Sequence, residues 1–176
     1  TTRGHALETL ARATVFVFDN TGTLTRGRLA LHATHPMAGT DAATCLQLAS
    51  ALESRSEHPI ARAVRGAAGD VLPAATDIVN TPGAGLSGTI DGRRYALGHS
   101  AFVAEVTGMA VPEAARAQYE SGGRTLVWLA DDRQLLAAFE IGDELRAGAR
   151  DLINTLQRAG KRTLLLTGDH PAAAQR

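Results

Sequence analysis

The run Asp19-Asn20-Thr21-Gly22-Thr23-Leu24-Thr25 puts a carboxylate, three hydroxyls and a glycine within seven residues, directly after the apolar stretch Val15-Phe16-Val17-Phe18. A short apolar strand that delivers a carboxylate into a Gly/Thr turn is the layout of an aspartyl nucleophile at the C-terminal edge of a parallel sheet, where open α/β folds place their ligands. The turn offers hydroxyls and close backbone N–H groups, which suit a phosphoryl group. The chemistry implied is phosphoryl transfer through a covalent aspartyl phosphate on Asp19. Along an extended segment, positions i and i+2 project to the same side. Position i+2 here is Thr21, which cannot activate water at neutral pH. The phosphoenzyme is therefore expected to persist until another element triggers its hydrolysis.

A second constellation is Ser56-Glu57-His58-Pro59-Ile60-Ala61, with Glu53 five residues before the histidine. An imidazole can stack on a purine, and a carboxylate can accept from an exocyclic amine. A lone His before Pro also reads as a helix-entry residue. Gly83-Ala84-Gly85-Leu86-Ser87-Gly88 fits a Gly-x-Gly-x-x-Gly pattern. It lies between two predicted strands, not between a strand and a helix, which argues against a dinucleotide-binding fold. A plain hairpin turn remains the alternative there. Thr167-Gly168-Asp169 follows a short buried strand, and by itself is a strand-end turn.

The elements that must carry these groups follow from periodicity. Residues 1–13 are amphipathic and lead into the first strand. Leu29–Thr34 reads as a strand, Thr40-Asp41 as the cap of a helix to about Ser54, and Pro59–Ala68 as a second helix. Thr76–His99 reads as strand, glycine turn and hairpin, with Asp91-Gly92 as a tight turn. A helix is predicted over Pro112–Glu120, then a hairpin of Arg124–Ala130 and Gln134–Ile141. Beyond Gly142 the pattern is a helix from about Glu144 to Ala159 and a strand over Thr163–Leu166. The fold class is thus α/β, with residues 1–26 and 143–176 forming one discontinuous part. Residues 27–142 form an inserted α+β domain built on an antiparallel sheet flanked by helices.

Composition narrows the function. Apolar residues make up 44% and charged residues 20%, as in ordinary globular chains. Lys+Arg and Asp+Glu balance at 18 each, so no bulk field draws nucleic acid or anionic lipid. Cys45 is the sole cysteine, which excludes a disulfide framework and suits a buried small hydrophobe. His32 and His35, three apart on a predicted strand, face opposite sides and make no metal pair. No run approaches a membrane span and no signal-peptide pattern opens the chain, so the segment reads as soluble.

Taken together these motifs resemble the cytoplasmic region of heavy-metal P-type cation-transporting ATPases, whose phosphorylation signature is Asp-Lys-Thr-Gly-Thr-Leu-Thr. Six of seven positions match here; Asn20 stands for the Lys and carries no charge. Ser56-Glu57-His58-Pro59 resembles the Ser-Glu-His-Pro element of that branch. Asp143-Glu144-Leu145-Arg146 resembles its Asp-Pro-x-Arg element, and Leu165-Leu166-Thr167-Gly168-Asp169 its Thr-Gly-Asp loop. The resemblance implies a haloacid-dehalogenase-like phosphorylation (P) domain, incomplete here, interrupted by a nucleotide-binding (N) domain. It implies that Asp19 takes the γ-phosphoryl of Mg·ATP while Thr21, Gly22 and Thr167 hold it. Asp19 and Thr21 would contact Mg²⁺. Glu53, His58, Gly83, Gly85, Gly98 and Asp169 would bind the nucleotide, with His99 where the family has Asn. The wording is similar to copper exporters, whose metal sites lie in membrane segments, with this part at the cytoplasmic face.

Two further expectations rest on the same resemblance. The family's Gly-Asp-Gly-x-x-Asn-Asp loop, which supplies the main Mg²⁺ carboxylate, would follow Arg176. On that reading this stretch binds nucleotide, phosphorylates poorly or not at all, and can self-associate through exposed edges of a two-stranded sheet. The rival readings are a soluble haloacid-dehalogenase-type phosphatase with a cap domain, which would carry a second Asp at position 21, and a decayed nucleotide-binding module.

Overall fold

The computed structural model describes residues 12–120 and 124–166, so the expected N-terminal helix lies outside the described residues. The chain divides into two compact units: the residues up to Gly27 with those from Asp143 onward, and Arg28–Gly142. It passes from the first to the second within strand β2 (Thr25–Pro36) and returns within β7 (Leu135–Leu145).

In the first unit, β1 (Val15–Asp19) pairs in parallel with β8 (Arg162–Leu166), which sets Asp19 opposite Leu166. A parallel pair needs a crossover, and the last part of it is helix α5 (Ala149–Arg158). Phe16 and Phe18, on one face of β1, stack at 6.5 Å. Val17 and Leu164, on the other face, are each 53% exposed. Helix α5 buries none of its residues despite its apolar stripe. It begins at Ala149, not near Glu144 as its sequence suggests. The reason is largely tertiary: the Arg146 N–H is taken by the distant Leu24 carbonyl at 2.9 Å, and Gly148 adopts φ +81°, so no helical turn forms before that point.

The Arg28–Gly142 unit is a six-stranded sheet in the order β2-β7-β6-β5-β4-β3, with β3 spanning Ala75–Thr81, β4 Gly85–Ile90, β5 Arg93–Gly98 and β6 Thr125–Asp131. The pairings from β3 through β7 are antiparallel. Helices cover both faces, so the central strands read as continuous apolar runs. On one side, α1 (Ala42–Leu52) and α2 (Pro59–Arg65) close a core of Leu52, Val64, Leu97, Leu129, Phe139 and Ile141. On the other, α3 (Ser100–Thr107) and α4 (Glu113–Glu120) pack on Trp128, Ala96 and Ala138, joined by Phe102 and Val103. Cys45 is fully buried in the first core.

Three turn devices set the register. Asp91 and Gly92 take φ 49° and 74°, as a tight hairpin with the strands' twist demands. Asp131, fully buried, accepts from the backbone N–H of Arg133 and Gln134 at 2.8 Å each and from Arg93 at 2.9 Å, which fixes the β6–β7 turn. Asp41 caps α1 by accepting the Thr44 N–H at 2.9 Å. Nothing in the sequence pattern predicts helix α3. Ser100-Ala101-Phe102-Val103 has β-like composition, and the helix is instead defined by its ends: His99 caps it and Gly108, at φ +75°, stops it.

Candidate functional site

Glu53, His58, Gly83, Gly85 and Gly98 all line one cleft of about 410 Å³ in the Arg28–Gly142 unit. It is the size of a small-molecule site, mostly apolar with a few polar groups. Leu86, Leu97, Leu126 and Val127 supply apolar wall; Asn80, Thr81 and Thr125 add polar atoms that the sequence reading did not select. Their signal in the sequence is weak, because they are ordinary strand-end residues on β3 and β6.

Each selected residue reaches the cleft for a local reason. Helix α1 gives way at Glu53 to a short 3-10 turn, Glu53–Arg55, which turns the Glu53 side chain inward; the residue is 5% exposed and its Oε2 has no hydrogen-bond partner. Burial pushes its carboxyl above the ordinary 4.5, against a hydrogen bond from Ser56 and the nearby His58 and Arg65. His58 precedes Pro59, the first residue of α2, and its Nδ1 accepts the Ile60 N–H at 3.2 Å. With Nδ1 committed as acceptor, the neutral ring carries its proton on Nε2. His99 does the same for α3, accepting the Phe102 N–H at 3.0 Å. So two helix-capping imidazoles stand on the cleft's rim. The helix-entry and cleft-lining readings of His58 hold together.

The glycines divide by cause. Gly83 sits in an open turn at φ +76° with nothing within 4 Å of an added Cβ. Gly85 and Gly98 face each other in the β4–β5 ladder. A Cβ on Gly85 would lie 2.3 Å from the Leu97 carbonyl oxygen, and one on Gly98 would lie 2.4 Å from that of Ala84. The edge of the Phe102 ring fills the space both leave. Close strand approach, quite apart from any ligand, requires glycine at both.

In the other unit, β1 ends at Asp19 with its carboxylate exposed, and Asn20–Leu24 form a wide π-type turn. Gly22, at φ +80°, donates its N–H to Thr25 Oγ1 at 3.1 Å. Thr25 is 3% exposed and its hydroxyl donates to Asp143 Oδ2 at 2.6 Å. Arg146 reaches back with Nε to the Thr25 carbonyl at 3.0 Å and Nη2 to the Gly22 carbonyl at 2.9 Å. Arg26 and Glu144 add an ion pair at 3.4 Å. The Asp143–Arg146 element thus clamps the turn after Asp19. Thr25, Asp143 and Arg146 are the positioning residues that motif reading left without roles. Thr167 and Asp169, and the Thr21 side chain, lie outside the described residues. Among the described residues, no cluster of three or more His, Cys, Asp or Glu side chains could hold a metal.

A strand-borne Asp followed by a clamped Gly/Thr turn, in a unit interrupted by an insert, agrees with a match to the family of haloacid dehalogenase-like hydrolases over residues 13–176. The chain belongs to that family. Within the haloacid dehalogenase-like hydrolases, it is homologous along nearly its whole length to copper-transporting P-type ATPases. It is 41% identical over 174 residues to the "Probable copper-transporting ATPase SynA" of Synechococcus sp., covering 97% of this chain and 21% of that protein. It is similar to the crystal structure of a zinc-transporting PIB-type ATPase in the E2.Pi state, with a TM-score of 0.78 and 33% identity over 97% of this chain and 28% of the other. The N-domain of HMA8, a copper-transporting P-type ATPase, shares the fold at a TM-score of 0.56 and 23% identity, over 64% of this chain and 99% of that domain. The chain thus spans about a fifth of the length of the curated relatives it matches. Among the described residues, no helix is long and apolar enough to cross a membrane.

Proposed function

We propose that this chain is the ATP-binding and phosphorylation region of a heavy-metal-transporting P-type ATPase, with residues 27–142 as the N domain and the remainder as part of the P domain. The cleft binds the nucleotide. The observation that carries this reading is the Glu53 carboxylate, buried in that cleft with one oxygen unpartnered: it is a ready acceptor for the exocyclic amine of adenine, beside an imidazole able to lie against the ring. A plain hairpin pocket gives no reason to keep such an oxygen dry and unpaired. Asp19 Oδ would attack the γ-phosphorus, the bond to the β-bridging oxygen would break, and ADP would leave. The clamp from Asp143 and Arg146 holds the turn that follows the attacking group.

Mg²⁺ fits the exposed Asp19 carboxylate, because this ion is held through one or two carboxylates together with substrate phosphates and waters. When bound it would neutralise charge on the transferring phosphoryl group. The transported ion, proposed as copper from the similarity to copper exporters, would be bound by membrane segments of the whole protein, with this region at the cytoplasmic face.

The deciding experiment is a calorimetric titration of ATP, with and without Mg²⁺, into this chain and into His58→Ala and Glu53→Ala. Micromolar-to-millimolar binding, weakened about tenfold (about 1.4 kcal/mol) by either substitution, is expected. Absent binding, or binding indifferent to both, would discard the nucleotide reading and advance a phosphatase with a cap domain.

A further inference from the structure

The free oxygen of Glu53 does more than complete a contact, because a carboxyl changes from acceptor to donor by taking a proton, and the acceptor nitrogens of the two cleft histidines are already committed to backbone N–H groups. Its neighbours pull it both ways. From the turn after α1, Ser56 hydrogen-bonds the carboxyl and the His58 imidazole lies within electrostatic reach of it. From α2, Arg65 is near, but both its Nη atoms are committed, to the Ser54 carbonyl at 3.1 Å and the Ser56 carbonyl at 3.0 Å. Across the cleft, from the β5–α3 junction, stands His99. Against these, Leu86, Leu97 and Val127 make the surroundings poor in water, and burial dominates, so the carboxyl holds its proton more tightly than an exposed one.

We propose that Glu53 makes base recognition in this cleft proton-linked: a base edge bearing an exocyclic amine is taken by the carboxylate, the protonated fraction of the free site giving its proton to solvent, and a base edge bearing a carbonyl at the same position is taken by the carboxylic acid, the ionised fraction taking a proton up. The ionised form has only lone pairs to offer, so it pairs with an amine N–H and repels a carbonyl oxygen. With the proton on the free Oε2, that oxygen donates its O–H to a carbonyl and meets an amine N–H less well. Preference between adenine-type and hypoxanthine-type nucleotides therefore depends on pH, through this one side chain. The proposal rests on the reading of the cleft as a nucleotide site.

The test is the ratio of ITP to ATP dissociation constants, measured on the whole chain from about pH 5 to about pH 7.5. The two nucleotides differ only on the base, so titration of the phosphates cancels in the ratio, and Glu53→Gln, which keeps both cleft histidines, isolates the part that belongs to Glu53. The ratio should rise about tenfold over that range, the worth of one hydrogen bond to a charged group. Glu53→Gln, which keeps the shape and cannot titrate, should make the ratio flat, with its fold checked by the fluorescence of Trp128. A flat ratio in the unsubstituted chain, or the same slope in Glu53→Gln, would overturn the proposal while leaving the nucleotide site intact. If ATP itself fails to bind at any pH, the site reading falls first and this inference falls with it.

Discussion

The two units of this chain solve the same problem, holding a reactive side chain in place, by different means. In Arg28–Gly142 the cleft residues hang on a sheet buried on both faces, with Trp128, Phe139, Leu97 and Leu129 each at most 1% exposed. Among the described residues of the Asp19 unit the sheet has two strands, no residue of the helix beside it is buried, and Val17, Leu164 and Leu166 stand more than half exposed. There, directed hydrogen bonds do what packing does elsewhere: Thr25, Asp143 and Arg146 fix the turn through side-chain geometry. Packing tolerates solvent at its rim; a hydrogen-bond clamp with a thin core does not. The Arg28–Gly142 unit should therefore be robust and the Asp19 unit easily loosened.

The sharpest test compares two truncations to alanine. Phe139→Ala removes a fully buried ring and should destabilise the Arg28–Gly142 unit by about 3–5 kcal/mol. Leu164→Ala, in the half-exposed face of the two-stranded sheet, should cost about 0.5 kcal/mol or less. Guanidinium melts followed by Trp128, the chain's single tryptophan, would register the first. Backbone hydrogen exchange would register the second, and comparable losses at both sites would erase the contrast. Next in size is Gly85→Ala, whose Cβ meets backbone at 2.3 Å and should cost about 3 kcal/mol through forced strand separation, lowering the same Trp128 midpoint. An unmoved midpoint would mean that the β4–β5 approach is softer than drawn.

Thr25→Val probes the clamp. It keeps the volume and deletes the hydroxyl that joins the Gly22 N–H to Asp143, a loss of about 1–3 kcal/mol expected locally at the turn. The readout is faster exchange of the Gly22 amide with the Trp128 melt unchanged; a drop in that melt would show that the two units do not keep separate accounts of stability.

The smallest effects are in pH, and they run in opposite directions for two glutamates of the same unit. Burial acts to raise the Glu140 carboxyl, but hydrogen bonds from His35 at 2.8 Å and Arg124 at 2.7 Å together outweigh it and hold it below the ordinary 4.5. A lowered folded value means stability that is present above 4.5 and is lost as pH falls through the folded value. Glu53 is raised, so its contribution is present below 4.5 and is lost as pH climbs through its folded value. Glu140→Gln should flatten the acid side of a stability–pH curve, and Glu53→Gln should lift the neutral side relative to the acid side. Curves displaced in parallel would contradict both assignments.

Much of this was legible in the residues. The strand before Asp19, the Asp91-Gly92 hairpin and the cap at Asp41 follow from apolar patterning and turn chemistry, which act over a few positions. The convergence of Glu53, His58 and the glycine loop was reached through motif resemblance. What escaped was set at long range. The Thr25–Asp143 bond joins residues 118 positions apart, and neither partner looks special in isolation. Helix α5 starts late because its first predicted turn is recruited to the Asp19 loop, a tertiary demand that local propensity cannot express. Helix α3 hid behind a β-like composition and a histidine cap, where the usual cap residues are Ser, Thr, Asp and Asn.

The position of β2 and β7 side by side in the sheet has a consequence for how this architecture can be taken apart. The Arg28–Gly142 unit begins on one of these strands and ends on its neighbour, so its entrance and exit form a single doorway. Such a module can be lifted out without severing anything inside it. A short linker across that doorway, with new ends opened at Asp91-Gly92, would give a rearranged chain that encloses the same cleft. A fold with this property can be inserted, exchanged or borrowed as one piece.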